Sequence, residues 1–186
     1  MRVIGVDPGS VICGYGVVER TGKKYTLIEY GVIKAKAAGD SLPLRCRMIY
    51  TRLQQVIERS LPDEMALESL FYAKNVASVI KLSHARGAAM LSGAMREVPV
   101  IEYSPKEVKR AVTGRGGADK KQVQFMVRDM LGIEETHEFY DATDALAVAI
   151  CHLNKVHSPL GRPRSWKQFI EEHPERIVGS KPRKDS

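Results

Sequence analysis

Four acidic residues, Asp7, Glu68, Asp141 and Asp144, fall where the hydrophobic pattern predicts that a strand ends or a helix begins. Asp7 closes the apolar run Val3-Ile4-Gly5-Val6 and precedes a Pro8-Gly9 turn. Glu68 closes a second run, Met65-Ala66-Leu67. Asp141 and Asp144 open an alanine-rich segment three residues apart, and so share one helical face. Carboxylates on rigid elements that are distant in sequence can converge to hold a hard divalent cation such as magnesium, which takes oxygen ligands in near-octahedral geometry. Two such ions about 4 Å apart activate a water and stabilise the leaving oxygen in phosphodiester cleavage. The pattern predicts a metal-dependent nuclease.

Each acid has a plainer explanation to beat. A strand-ending turn accounts for Pro8 and Gly9 but not for an acid at the strand terminus. A glutamate at a strand end is ordinarily just solvated, but Glu68 is followed by Phe71-Tyr72 and Lys74-Asn75. An aromatic pair beside a cation suits stacking on, or wedging between, unpaired bases, and it equally suits packing on the core. One aspartate in a first helical turn is explained by capping and the helix dipole. Two on one face repel unless a cation lies between them. His137, near this pair, reads either as a proton-transfer aid or as a surface loop histidine. Lys109 and Lys120 are candidate phosphate contacts set against the solvated face that is the default for any single lysine. No segment matches a phosphate-binding P-loop, and no Ser/His/Asp spacing points to acyl transfer.

The elements that would carry these residues can be traced along the chain. Residues 2–7 form a first strand, Gly14 to Glu19 belong to a second, and a turn at Thr21-Gly22-Lys23-Lys24 leads to a third over about 25–34. Leu44, Met48, Leu53, Val56 and Ile57 predict a helix over 42–60 that stops at Leu61-Pro62. A strand at 64–68 delivers Glu68. Asn75 to Glu97 reads as a long helix rich in Ala and Gly, suited to close approach to a second subunit or to the sheet. Val98 to Tyr103 is a short strand, and Ser104-Pro105 opens another helix. Thr113 to Gly117 is a mobile glycine loop. Asp119 and Gln122 form a capping box for a helix ending at Gly132. A last helix covers about 141–155, and the basic stretch 157–186 shows no persistent period and is expected to be disordered. The sum is an α/β fold, a mixed five-stranded sheet flanked by helices, in a single nuclease domain over 1–156 followed by a tail over 157–186.

Composition agrees with one soluble domain. The 186 residues are 44% hydrophobic, enough to bury a core, and no apolar run approaches the roughly 20 residues of a membrane span. The strand that starts straight after Arg2 predicts no signal peptide. Cys13, Cys46 and Cys151 are odd in number and widely spaced, which argues against a disulfide framework or zinc site and for a reducing cytoplasm. A net charge of +7 and a pI near 9.4 favour a polyanionic partner. Lys106, Lys109, Arg110, Arg115, Lys120 and Lys121 cluster together, and a second basic cluster lies in the tail.

Taken together, the motifs resemble the RuvC family of bacterial crossover-junction endonucleases, in the RNase H-like superfamily. The resemblance covers about residues 1–155. It rests on Gly5-Val6-Asp7-Pro8-Gly9-Ser10 with Gly14-Tyr15-Gly16, on Glu68 with Phe71-Tyr72-Ala73-Lys74-Asn75, on Lys81-Leu82 with Ala85-Arg86-Gly87, and on Asp141-Ala142-Thr143-Asp144-Ala145-Leu146-Ala147. It implies an RNase H-like fold and a homodimer that binds four-way Holliday junction DNA. It also implies symmetric nicking of two strands of like polarity, leaving 5′-phosphate and 3′-hydroxyl ends, in recombination and repair alongside the RuvA–RuvB branch-migration complex. Asp7, Glu68, Asp141 and Asp144 match the family's catalytic, metal-binding carboxylates, with Asp7 between two Mg2+ ions and Mn2+ as the alternative metal. Phe71, Lys109 and Lys120 match its DNA-contacting positions, and Tyr72, Lys74, Arg86 and Arg115 are further candidates. A YqgF-like RNase H-fold nuclease acting on another nucleic acid shares the acidic residues but lacks the Phe-Tyr-Ala-Lys-Asn segment and the basic loop. An actin-like ATPase needs about twice this length, and a noncatalytic DNA-binding module leaves four placed acids unexplained.

Overall fold

The computed structural model describes residues 1–69, 76–134 and 137–157, apart from the side chains of residues 137–139 and 141. Of the compact unit Met1–Asn154, five strands make one mixed sheet in the order β3-β2-β1-β4-β5. β1 (Arg2–Asp7), β2 (Cys13–Thr21) and β3 (Lys24–Ile33) form an antiparallel meander, while β4 (Glu64–Glu68) runs parallel to β1 and β5 (Val100–Tyr103) parallel to β4. This is the mixed five-stranded sheet expected. Among the described residues five helices accompany it: α1 (Leu42–Ser60), α2 (Val76–Ala94), α3 (Pro105–Thr113), α4 (Lys120–Leu131) and α5 (His137–Val156). A 3₁₀ turn at Ala35–Ala38, which the sequence did not suggest, joins β3 to α1.

Local chemistry accounts for the boundaries. α1 starts at Ser41 with proline in its first turn and ends where Leu61 turns left-handed ahead of Pro62. The predicted box closes α4: Asp119 Oδ1 accepts from Gln122 N at 2.8 Å, and Gln122 Oε1 accepts from Asp119 N at 3.1 Å. Ser104 and Glu107 close a second such box on α3. Gly114 and Gly132 end α3 and α4 at positive φ, which costs glycine nothing.

Strand alternation sends successive residues to opposite faces. Ile4, Val6, Val17, Met65 and Leu67 pack under α1 and α2. Val3, Val18, Ala66 and Tyr103 pack under α3, α4 and α5. Gly5 belongs to the second face, and α5 lies directly on it: a Cβ added there would stand 2.9 Å from Ala149 Cβ and closer still to Ala145 O. Glycine below and alanines above let helix and sheet meet backbone to backbone. The far end of α5 is anchored by Arg20, which donates to Leu153 O at 3.0 Å, and by Asn154, which donates to Ala111 O at 3.1 Å.

One predicted boundary is corrected. The last helix begins at His137, a turn before the expected 141, because its alanine period starts only after that turn. Asp141 and Asp144 therefore lie in the second and third turns. The dipole attraction fades within the first turn, so it does not explain them. Among the described residues no helix is long and apolar enough to cross a membrane. Residues 158–186, most of the expected tail, lie outside those described.

Candidate active site

Three predicted acids come together on the α5 face of the sheet. β1 and β4 pair in parallel with Gly5 opposite Ala66 and Val6 opposite Leu67, so one further step sets Asp7 beside Glu68. Neighbouring strands are about 4.8 Å apart, and alternation turns both side chains to the same face as Gly5 and Ala66. Asp144 arrives from above, since it immediately precedes the residue of α5 whose carbonyl sits on Gly5. α5 also carries Asp141, one turn nearer its start.

The electrostatics register this convergence. Burial first, then the Asp144 charge, pushes the Asp7 carboxyl up to about 6 against a counter-pull from Lys120. Burial, then Asp7 and Asp144, pushes Glu68 up to about 7, opposed by Lys120 and Lys109. Lys120 Nζ donates to Asp144 Oδ2 at 3.0 Å. Glu68 and Asp144 border a cavity of about 220 Å³, where they face Lys109 and Lys120 across apolar walls that include Val108, Val123 and Ala147. A roomier cavity of about 360 Å³ lies on the other face, between α1, β2 and β3, and contains none of the predicted site residues.

Clustered carboxylates that resist ionisation next to one another form an all-oxygen donor set, and a divalent cation would relieve their repulsion. Among the described residues, no three acidic, histidine or cysteine side chains yet meet as one ion's ligand shell. In this arrangement the positive charge against Asp144 is the Lys120 ammonium. The donor chemistry fits a hard divalent cation.

The other predicted residues distribute differently. Arg86 pairs with Glu102, on the α2 side of the sheet and away from the cavity. Arg115 follows α3 and lines a neighbouring concavity. Phe71, Tyr72 and Lys74 lie outside the described residues, as do the side chains of His137 and Asp141.

Sequence reasoning missed a buried support beneath the site. His152 is fully buried and continues the α5 stripe of Ala145 and Ala149 that meets the sheet. Its Nδ1 is 2.8 Å from Tyr103 Oη. Its Nε2 lies 2.7 Å from Glu64 Oε2, an ion-pair distance outside hydrogen-bond alignment. Tyr103 is the β5 partner of Glu68 and Glu64 opens β4, so this trio ties α5 to the strand that carries Glu68. A histidine inside an alanine and valine stretch was the available signal.

Comparison with known proteins shows the family. Residues 3–152 match the family model described as crossover junction endodeoxyribonuclease RuvC. A protein of that name from Desulforamulus reducens is 46% identical over 152 residues, spanning 82% of this chain and 93% of its own. One from Bacteroides fragilis is 41% identical over 179 residues, spanning 94% and 95%. The structure of Thermus thermophilus RuvC in complex with Holliday junction substrate superposes with a TM-score of 0.76 at 34% identity, covering 82% of this chain and 93% of that one.

Proposed function

The chain belongs to the RuvC family of crossover junction endodeoxyribonucleases, and we propose that it resolves four-way Holliday junctions by nicking two strands of like polarity symmetrically. The observation that carries this reading is the single cavity where Glu68 and Asp144, coupled to Asp7, face Lys109 and Lys120. Asp7, Glu68, Asp144 and Asp141 would hold divalent cations, two per site, with magnesium the first choice and manganese the second. When bound, such ions supply an activated water and a clamp on the departing 3′ oxygen. Lys109 and Lys120 draw the phosphodiester toward the acids and offset their charge. Apolar walls keep bulk water from screening these contacts. The products carry 5′-phosphate and 3′-hydroxyl ends.

A two-fold junction calls for two sites related by matching symmetry, and α2 offers a surface for a second copy of the chain. Val76, Ile80 and Leu91 are exposed along it and Met95 just past its end, and Met90, Leu91, Ala94 and Val98 line an open apolar cavity of about 580 Å³. Membership of the family makes the RuvA–RuvB complex the expected companion and recombination and repair the setting. Three cysteines without disulfides suit a reducing cytoplasm. Residues 1–156 suffice as the nuclease domain in this reading, with the basic tail adding nonspecific affinity for DNA.

The test is cleavage of a synthetic four-way junction in magnesium by wild type and Asp7→Asn. Paired symmetric nicks that fall about 1,000-fold or more in the variant are expected. Equal cleavage of linear duplex or of an RNA hybrid would discard junction selectivity in favour of a YqgF-like nuclease. An active Asp7→Asn enzyme would remove the carboxylate site from the mechanism.

A further inference from the structure

The first turn of α4 divides two cavities. Lys120 faces the acidic one. Lys121, about 100° further round the helix, lines a second of about 530 Å³ together with Arg115, Gln122 and Phe125. Phe125 is 56% exposed, although α4 already seats an apolar face of Val123, Met126 and Val127 in the core. The Arg128 guanidinium carbon lies 5.5 Å from the centroid of that ring. Lys121, Phe125 and Arg128 thus form one stripe at helical spacing, with Arg115 beside it on the loop.

The uncharged polar groups around this cavity are engaged within the protein. Thr113 Oγ1 donates to Lys109 O at 2.8 Å and accepts from Arg115 N at 3.2 Å. Gln122 and Asp119 satisfy each other's backbone amides, and the Asp119 charge sits at the positive end of α4. What the cavity offers a ligand is cationic side chains beside an aromatic face. That combination binds single-stranded nucleic acid with little regard to sequence, the cations meeting phosphates while the ring stacks a base.

We propose that this cavity receives the DNA strand leaving the catalytic cavity, with Phe125 stacked on an unpaired base and Arg115 and Lys121 on the flanking phosphates. The inference rests on the junction-nuclease reading above. Five residues separate Lys120 from Phe125, a rise of about 7.5 Å along the helix. They also lie about 140° apart round the helix, so at about 3.4 Å per nucleotide along one strand the stacked base lies roughly two to four nucleotides from the scissile phosphate. An acidic protein would also answer the charge, but it has no use for an open aromatic face ringed by cations.

The test places 2-aminopurine at each position roughly two to four nucleotides from the nick, on each side in turn, and titrates the junction with full-length protein in EDTA. Wild type is expected to quench the probe on one side of the nick only. Phe125→Ala should lose that quench and bind roughly 5- to 150-fold more weakly, while Phe125→Tyr retains both. Lys121→Ala should lower the salt dependence of binding by about one phosphate contact. Wild-type affinity and quench in Phe125→Ala would overturn the inference and hand the surface to a protein partner, while wild-type junction cleavage left the nuclease reading intact. Equal losses in Phe125→Ala and Phe125→Tyr would overturn the stacking. If wild type itself fails to bind the junction, the nuclease reading falls and takes this inference with it.

Discussion

Replacing Gly5 by alanine tests whether the backbone contact between β1 and α5 sets the proposed active site. The new Cβ would stand 2.8 Å from Ala149 N and 2.9 Å from Ala149 Cβ, and nearer again to Ala145 O. Two of these three atoms are helix backbone, which no rotamer change can move. Ordinary contact is about 3.5 Å, so α5 must retreat by about 0.7 Å at Ala149 and further at Ala145. Overpacking of this kind costs about 1–3 kcal/mol, a fall in Tm of about 2–12 °C for a chain of this size. Activity should suffer more. Asp144 adjoins Ala145 and Asp7 lies two residues from Gly5, so the shift opens the gap between two of the carboxylates. A misplacement near 1 Å costs about 100-fold in rate, and a 10- to 100-fold loss in single-turnover junction cleavage is expected. Gly16→Ala is the contrast, because its Cβ would meet the Leu146 side chain, at 2.7 Å from Cγ. A side chain can repack while the helix stays in place, so stability should fall with a smaller loss of rate. Thermal melts and cleavage time courses on both variants decide the matter. A Gly5→Ala protein with wild-type Tm and rate, or a Gly16→Ala protein as slow as Gly5→Ala, would refute the reasoning.

Other expectations follow from the same geometry. Asp7 and Glu68 titrate at about 6 and about 7 in the fold, against 3.8 and 4.5 ordinarily. The folded chain therefore holds more protons than the unfolded one between about pH 4 and pH 7, and this pair's contribution makes stability fall as pH rises through that window. In EDTA, Tm should accordingly drop from pH 5 to pH 8, and magnesium should raise it more at pH 8 than at pH 5; a magnesium effect equal at both pH values would count against a carboxylate metal site. Lys120→Met removes the cation that holds down both carboxyls, so the acidic limb of the pH–rate profile should move to higher pH while the maximal rate falls. An unmoved limb would separate Lys120 from the acids. Tyr103→Phe takes away the hydroxyl beside His152 Nδ1, and a buried polar group that loses its partner costs about 1–3 kcal/mol. Calorimetry should show that loss, and an unchanged melt would mean the trio does not anchor α5.

What could be read in advance was whatever a short stretch of chain decides for itself. The run from Val3 to Val6 must be a strand, Pro8-Gly9 must turn, and Asp119 with Gln122 must cap, because the deciding atoms lie within four residues of one another. Asp7, Glu68 and Asp144, which the fold brings together, stood out for a related reason: each departs from an apolar or alanine pattern that leaves little else to explain. The head of α5 was not, since the alanine period begins a turn after the helix does. Arg86 reads as a free cation until its partner Glu102, sixteen residues away, is in place. His152 is unreadable without Tyr103, which lies 49 residues earlier. Phe125 looks like one more core residue until the helix is seated and its ring is left outside.

The arrangement of the acids belongs to this second kind of information. Nothing near Asp7 says that Asp144 will lie over it; that depends on Gly5 having no side chain and on Ala145 and Ala149 having small ones. The same absence of side chains removes any soft layer between helix and strand, so an error in that contact passes undamped to the carboxylates. A longer residue at position 5 would leave every acid in the sequence and still dismantle the site. Glycine and alanine here set the distance across which Asp7 and Asp144 sense each other, which is the distance that a cation held by both, as proposed, would have to span.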